Sequence, residues 1–301
     1  MIPDTFDTLS MRNWFPGHMF KAGKQMQEAI SLVDLAVELV DARAPLLTRN
    51  PELLRRIADK PHIVLANKSD LAAPSISRQW MRWFSGNGEL VQFIDSRNRA
   101  QIRHLPQDFK RIVAEQRTKR GATRPLLRPV RIMISGVPNV GKSTLVNHLL
   151  DRNKAQVGPK PGVTRANQWL ALMDGVDLLD TPGLLWPNIA SVKQALMLAL
   201  LGIFNDALVP PAILAEYLAW QLEQLAVKVD WSAYGLAAPP DSGAALLDAY
   251  ARKRSFLLKG GEPDLDRAAT TFIKDFRDGR LGRITLQIPE SSPSDNSTPS
   301  L

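Results

Sequence analysis

The sequence predicts an α/β protein: a doubly wound, mostly parallel six-stranded sheet followed by a small all-α domain. Three observations carry this. Six short apolar runs of strand length recur between residues 35 and 180. Helix-length amphipathic stretches lie between them, and that alternation implies parallel strands joined by crossover helices. After Pro187 the strand-like runs stop, and four helical blocks follow with Pro and Gly between them.

In chain order, Leu35–Asp41 (LAVELVD), His62–Asn67 (HIVLAN) and Leu90–Ile94 (LVQFI) read as buried strands. Val130–Ser135, Trp169–Met173 and Val176–Asp180 complete the six. Helical patterns cover Phe20–Val33, Pro51–Ala58, Ile76–Phe84, Ile102–Glu115 and Lys142–Asp151. The later blocks are Val192–Ile203, Ala212–Val227, Gly243–Lys253 and Leu265–Asp278. The expected domains are 12–187 and 188–285, with a disordered tail over 286–301 whose end, Pro289–Leu301, is rich in Ser and Pro.

A chain of 301 residues suits two domains, and 45% apolar with 23% charged residues can build a core. It holds no cysteine, which excludes disulfides, zinc–thiolate sites and iron–sulfur clusters. No run of 18 uncharged apolar residues exists, so no membrane-spanning helix is expected. The opening MIPDTFDTLSMRNW is acidic and lacks the apolar core of a secretory signal. Together these point to a reducing, cytoplasmic setting. The net charge of +8 is local: residues 97–131 hold eleven basic and two acidic residues, a charge of +9. Such a band suggests a polyanionic partner, most often nucleic acid.

Chemistry enters at Gly136-Val-Pro-Asn-Val-Gly141-Lys142-Ser143, a G-x-x-x-x-G-K-S loop between an expected strand and an expected helix. Its glycines let backbone N–H groups turn inward around phosphate oxygens. Lys142 adds a point charge at the β- and γ-phosphates, Ser143 offers a hydroxyl to Mg²⁺, and the helix N-terminus adds its dipole. Asn67-Lys68-Ser69-Asp70 ends the second strand as N-K-x-D. Guanine presents N1–H and N2–H as paired donors; Asp70 can accept both, and adenine cannot supply them. Asn67 can reach the base edge or tie its loop to the P-loop, and the Lys68 stem can cover the base. Asp180-Thr-Pro-Gly183 follows the last strand. There Asp180 can hold Mg²⁺ through water and Gly183 can offer its N–H to a γ-phosphate. Thr164, in Pro161-Gly-Val-Thr, lies 21 residues beyond Ser143, a length that suits a segment closing on Mg²⁺.

These four motifs resemble the nucleotide site of translation-factor-class GTPases, but in a different order. N-K-S-D comes first, with Ile94-Asp95-Ser96 in the place of the next base-contacting loop; the P-loop, Thr164 and D-T-P-G follow. That is a circular permutation, tolerable when the cut falls in exposed loops. The permuted order, the opening Asn13-Trp-Phe-Pro-Gly-His18-Met19, the Asp41-Ala-Arg-Ala-Pro45 strand end and the trailing helices resemble the ribosome biogenesis GTPase A family over residues 12–280.

The resemblance implies a GTP site of Asn67, Lys68, Asp70, Ser96, Asn139, Val140, Gly141, Lys142, Ser143, Thr144 and Gly183, with Mg²⁺ on Ser143, Thr164 and Asp180. It implies catalytic roles for Lys142, Thr164, Gly183 and His18. The usual water-orienting Gln after D-x-x-G is replaced by Leu184, which cannot hydrogen-bond water, and the resemblance gives that work to His18. Asn139 resembles the Asn that helps potassium-dependent GTPases hold K⁺. The helical domain would contact rRNA. The expected function is thus a monomeric, GTP-hydrolysing assembly factor for the large ribosomal subunit. Two rivals stand beside it: a signalling or transport GTPase with protein partners, and a nucleotide-dependent RNA-binding module with negligible hydrolysis.

Overall fold

The structure, a computed structural model, describes residues 29–57, 60–150, 169–179, 191–203, 209–225, 229–234, 236 and 242–290. Six strands form one sheet: β1 Leu35–Asp41, β2 His62–Asn67, β3 Val91–Phe93, β4 Val130–Gly136, β5 Trp169–Leu172 and β6 Val176–Leu179. Their spatial order is β3-β2-β1-β4-β6-β5. All neighbours are parallel except β5 on β6. β1 is buried at all seven positions, as an inner strand of a sheet covered on both faces must be.

The helices of this unit are α1 Pro51–Arg56, α2 Pro74–Gly86, α3 Arg99–Ile102, α4 Leu105–Lys119 and α5 Lys142–Leu149. Residues 29–32 are helical, and the start of the expected Phe20–Val33 helix lies outside the described residues. The expected single helix Ile102–Glu115 is two helices, α3 and α4. Pro106 lacks an N–H and fits only the first turn of a helix, so α4 has to begin just before it.

From β1 the chain steps outward to β2 and β3, and from β4 it steps the other way. Right-handed crossovers place the two sets of helices on opposite faces. The sheet reverses between β1 and β4, where such sheets open a crevice at the carboxyl ends of their strands. On one face, Trp80 and Phe84 of α2 pack on Val40, Val64 and Ala66; Leu53 and Ile57 join Ile30, Ala36 and Met133. Inside β1, the buried Glu38 accepts from Arg49 Nε (2.9 Å) and Asn50 N (2.8 Å), with His62 Nε2 at 3.4 Å. Burial pushes its carboxyl up, but these partners outweigh that and lower its pKa.

The described elements from 191 onward are helical: α6 Val192–Leu200, α7 Pro211–Gln224, α8 Gly243–Lys253 and α9 Leu265–Arg277, with a 3₁₀ turn at Trp231–Tyr234. Ser191, Ser242 and Asp264 cap three of them by accepting from the N–H three residues on. α7, α8 and α9 pack on one another. Tyr234, Tyr250 and Phe272 form their aromatic centre, with ring centroids 5.6–5.9 Å apart. Asp275, 1% exposed, accepts from Tyr250 Oη, Arg254 and Arg280, each at 2.8 Å. Burial and the Asp275 hydrogen bond push the Tyr250 hydroxyl well above its usual range.

The described residues between 191 and 286 belong to this helical unit, and Gln287 returns to the sheet unit. Leu286 and Gln287, expected at the head of the disordered tail, are packed. Leu286 is 2% exposed. Gln287 Oε1 accepts from Leu46 N (2.9 Å) and Leu47 N (3.0 Å), its N–H donates to Arg43 O, and its carbonyl accepts from Trp80 Nε1 (2.8 Å). One glutamine thus satisfies two backbone donors that follow β1, a role composition does not reveal. Gln287→Ala should destabilise the sheet unit by about 1–3 kcal/mol, because both amides lose their acceptor. Urea unfolding followed by tryptophan fluorescence reads this out, and an unchanged midpoint would refute it.

Candidate nucleotide site

The motif loops leave neighbouring strands at one edge of the sheet. β1 and β2 end in register, with Asp41 opposite Asn67, and Gly136 of β4 lies opposite Leu39 of β1. A Cβ on Gly136 would lie 2.7 Å from Leu39 O and 2.9 Å from Val140 Cγ1, so only glycine lets β4 end this close to β1. Gly141 adopts a φ of 106°, and a Cβ there would collide with Asn67 Nδ2.

That collision marks the centre of the site. Asn67, 1% exposed, donates from Nδ2 to Val140 O (2.7 Å) and accepts from Ser96 N at Oδ1 (2.9 Å). One carboxamide ties the N-K-S-D loop to the P-loop and to the loop after β3. Of the two uses the sequence left open for Asn67, its amide serves the tie. His148 on α5 adds a link, its Nδ1 lying 2.7 Å from Ser96 O.

Lys68 follows with a left-handed φ of 60°, uncommon for a side chain with a Cβ. Its ammonium lies 3.1 Å from Asp41 Oδ2. Asp41 is fully buried and also accepts from Arg43 N (3.0 Å), Nε (2.9 Å) and Nη2 (2.8 Å). Burial pushes the Asp41 carboxyl up, but the Arg43 and Lys68 charges prevail and hold it well below the usual carboxylate range. Asp41 therefore fixes the Lys68 side chain within the N-K-S-D loop and offsets its backbone strain.

Asp70 is half-buried. Its Oδ2 accepts from Arg97 Nη2, and its Oδ1 is buried with no hydrogen-bond partner. Lys142 and Ser143 are the first two residues of α5, where backbone N–H groups lack intrahelical acceptors. Asn139 is exposed with φ 59°, Val140 is buried and Thr144 half-buried. His18, Thr164, Asp180, Gly183 and Leu184 lie outside the described residues.

The profile described as 50S ribosome-binding GTPase matches residues 131–213. Ribosome biogenesis GTPase A of Bacillus cereus is 36% identical over 277 residues, covering 92% of this chain and 94% of that protein. The chain belongs to the ribosome biogenesis GTPase A family. Its likeness extends to mitochondrial ribosome-associated GTPase 1 of Mus musculus, 35% identical over 91% of this chain and 89% of that one. GDP-bound YlqF of Thermotoga maritima superimposes with a TM-score of 0.63 at 28% identity, covering 89% of this chain and all of that one. The GNP-bound form scores 0.61 over 90% of this chain.

GTPases of this kind generally use Mg²⁺, and the chemistry of the described residues fits it. Among them no group of three or more His, Cys, Asp or Glu could hold a metal. Ser143 is exposed at the start of α5, a hard oxygen donor of the sort Mg²⁺ uses beside phosphate oxygens. Asp41, Arg43, Arg97 and His148 were missed as site residues by sequence reasoning. For Asp41 a signal existed, an acid at the carboxyl end of a buried strand; its partner Lys68 follows another strand.

Asp41→Asn should cost about 3 kcal/mol at pH 7, since it leaves the buried Arg43 charge poorly paired. The native carboxyl titrates below its unfolded value, so its contribution is complete above about pH 4 and fades as pH falls further. Urea unfolding of both proteins from pH 7 to pH 3 should show the gap narrowing only at the acid end. A gap independent of pH would refute the charge assignment.

Proposed function

We propose that this chain hydrolyses GTP and works in assembly of the large ribosomal subunit, as a cytoplasmic monomer. The observation that carries the GTP reading is the Asn67 tie, which holds an N-K-x-D carboxylate in fixed relation to a phosphate-binding loop. Family membership supports the ribosomal setting. The order of motifs along the chain, N-K-S-D on β2 and the P-loop after β4, supports a circularly permuted GTPase.

Asp70 accepts guanine N1–H and N2–H. Lys142 and the P-loop amides hold the β- and γ-phosphates, with Ser96, Val140, Gly141 and Thr144 lining the nucleotide. Ser143, Thr164 and, through water, Asp180 would hold Mg²⁺, which would supply positive charge to the phosphates. Gly183 and Thr164 sense the γ-phosphate, and His18 positions the attacking water; transfer of the phosphoryl group to it yields GDP and phosphate. Positioning and charge stabilisation are what phosphoryl transfer asks of a protein. Asn139 would help hold K⁺, which would supply further positive charge. Because the chain runs from Gly183 through Pro187 into the helical unit, the state of the γ-phosphate is relayed to an rRNA-contacting module.

His18→Ala should slow single-turnover GTP hydrolysis roughly ten- to a thousand-fold, about 1.4–4 kcal/mol of barrier. The loss should be largest on purified large subunits in K⁺, with GTP affinity nearly unchanged. Hydrolysis by His18→Ala at the parental rate would remove His18 from the mechanism.

The basic band adds a second contact to this reading. Within the sheet unit, α4 and residues 122–130 line a cleft of about 430 Å³ that includes Lys110, Arg117, Arg124 and Arg128. Arg128 is paired with Asp34 (2.7 and 2.9 Å), whereas among the described residues Arg117 donates to the Arg124 carbonyl and Lys110 to the Asp174 carbonyl, not to a carboxylate. Cations without carboxylate partners suit phosphate backbone. Arg117→Glu with Arg124→Glu should weaken co-sedimentation with large subunits and flatten its salt dependence, because fewer counterions are released. An unchanged salt slope would refute this contact.

A further inference from the structure

Arg97 stands in the loop after β3 with its side chain 64% exposed, yet its guanidinium is bound by two carboxylates. Its Nη2 donates to Asp70 Oδ2. Its Nε donates to Asp95 Oδ1 (3.1 Å), and its backbone N–H donates to the same oxygen (2.9 Å). The loop beneath is fixed as well: Ser96 N is held by Asn67, and Asp95 N donates to Gln101 Oε1 (2.9 Å). Burial pushes the Asp95 carboxyl up, but the Arg97 hydrogen bonds prevail and lower its pKa. Nη2 also lies 3.4 Å from Asp95 Oδ2, and an exposed ion pair contributes little to stability, so four bonds from one surface arginine call for another purpose.

We propose that Arg97 is a positioning residue for base selection, which orients the Asp70 carboxylate so that its oxygens can meet guanine's donors. This rests on the reading of Asp70 as the guanine-binding carboxylate. An ionised carboxylate offers about four acceptor positions. Arg97 uses one, end-on at Oδ2, leaving the second lone pair of Oδ2 and the whole of Oδ1. Oδ1 is buried here and has no hydrogen-bond partner, so its lone pairs are left for a donor that reaches it when nucleotide binds. Arg97 therefore remains in place when the base binds. Without it, Asp70 would sample several rotamers, and the ordering cost would fall on nucleotide binding. Asp95 acts through Arg97 by fixing the guanidinium plane. A lysine at position 97 would keep a charge but lose the planar fork that bridges the two carboxylates.

The experiment compares GDP, IDP and XDP affinities by titration calorimetry. Hypoxanthine keeps N1–H and lacks the N2 amine, so it reports on the second acceptor. Arg97→Ala should weaken GDP roughly tenfold, the order expected for one hydrogen bond to a charged group. IDP should weaken less, so the GDP/IDP preference narrows. Arg97→Lys should fall between. Asp95→Asn should shift both affinities in the same direction, and should add nothing in the Arg97→Ala background.

Unchanged or tighter GDP binding by Arg97→Ala would overturn the proposal, the latter meaning that Arg97 competes with the base. Equal losses for GDP and IDP would also overturn it, since they would mean a general loosening of the loop. Asp70→Asn separates the two layers. A switch from GDP to XDP upholds the guanine reading even where Arg97→Ala is silent. Unaltered GDP binding by Asp70→Asn would sink that reading, and with it the role of Arg97.

Discussion

The carboxamide of Asn67 is the constraint on which the site's geometry depends. It is buried, its donor is spent on Val140 O and its acceptor on Ser96 N. Each bond contributes about 0.5–1.5 kcal/mol, but leaving either end unmade inside the protein would cost more. The three loops are therefore held in one arrangement, which the separate turns could not specify. The cost is carried by glycine. Position 141 can bear no Cβ because the Asn67 amide occupies that space, and Gly136 is required where β4 ends against β1.

Two acids in β1 show how one strand supports different parts of the molecule. Glu38 faces Arg49, Asn50 and His62 and pins the turn before α1. Asp41, three residues on, faces Arg43 and Lys68 at the carboxyl end of the strand. Buried carboxylates are tolerable only when fully partnered, and each of these meets a cation and a backbone N–H. The consequence at Asp41 is local: the lysine of the N-K-S-D loop is held beside it in a backbone conformation it would otherwise avoid.

Chain connectivity adds a second consequence. The sheet unit is interrupted by the helical unit and resumes at Gln287, whose bonds reach Arg43, Leu46, Leu47 and Trp80. The turn that presents Asp41 and Arg43 is thus completed by a residue some 240 positions later in the sequence.

The sequence by itself determined the six strands, their mostly parallel arrangement, and the places of the G-x-x-x-x-G-K-S and N-K-S-D motifs at strand ends, because those features are local. Apolar runs, helical periodicity and a fixed motif spacing are written in consecutive residues. It also located the basic band, though not that Arg97, Arg111, Arg128 and Arg131 within it are partly engaged by Asp70, Asp108, Asp34 and the Trp169 ring. A single helix was expected where Pro106 divides two. Tertiary structure alone decided the use of the Asn67 amide, the pairing of Asp41 with Lys68, the Arg97 bridge between Asp95 and Asp70, and the return of Gln287. Each joins residues from different strands or distant segments, and charge complementarity of that kind exists only once the sheet has brought their ends together.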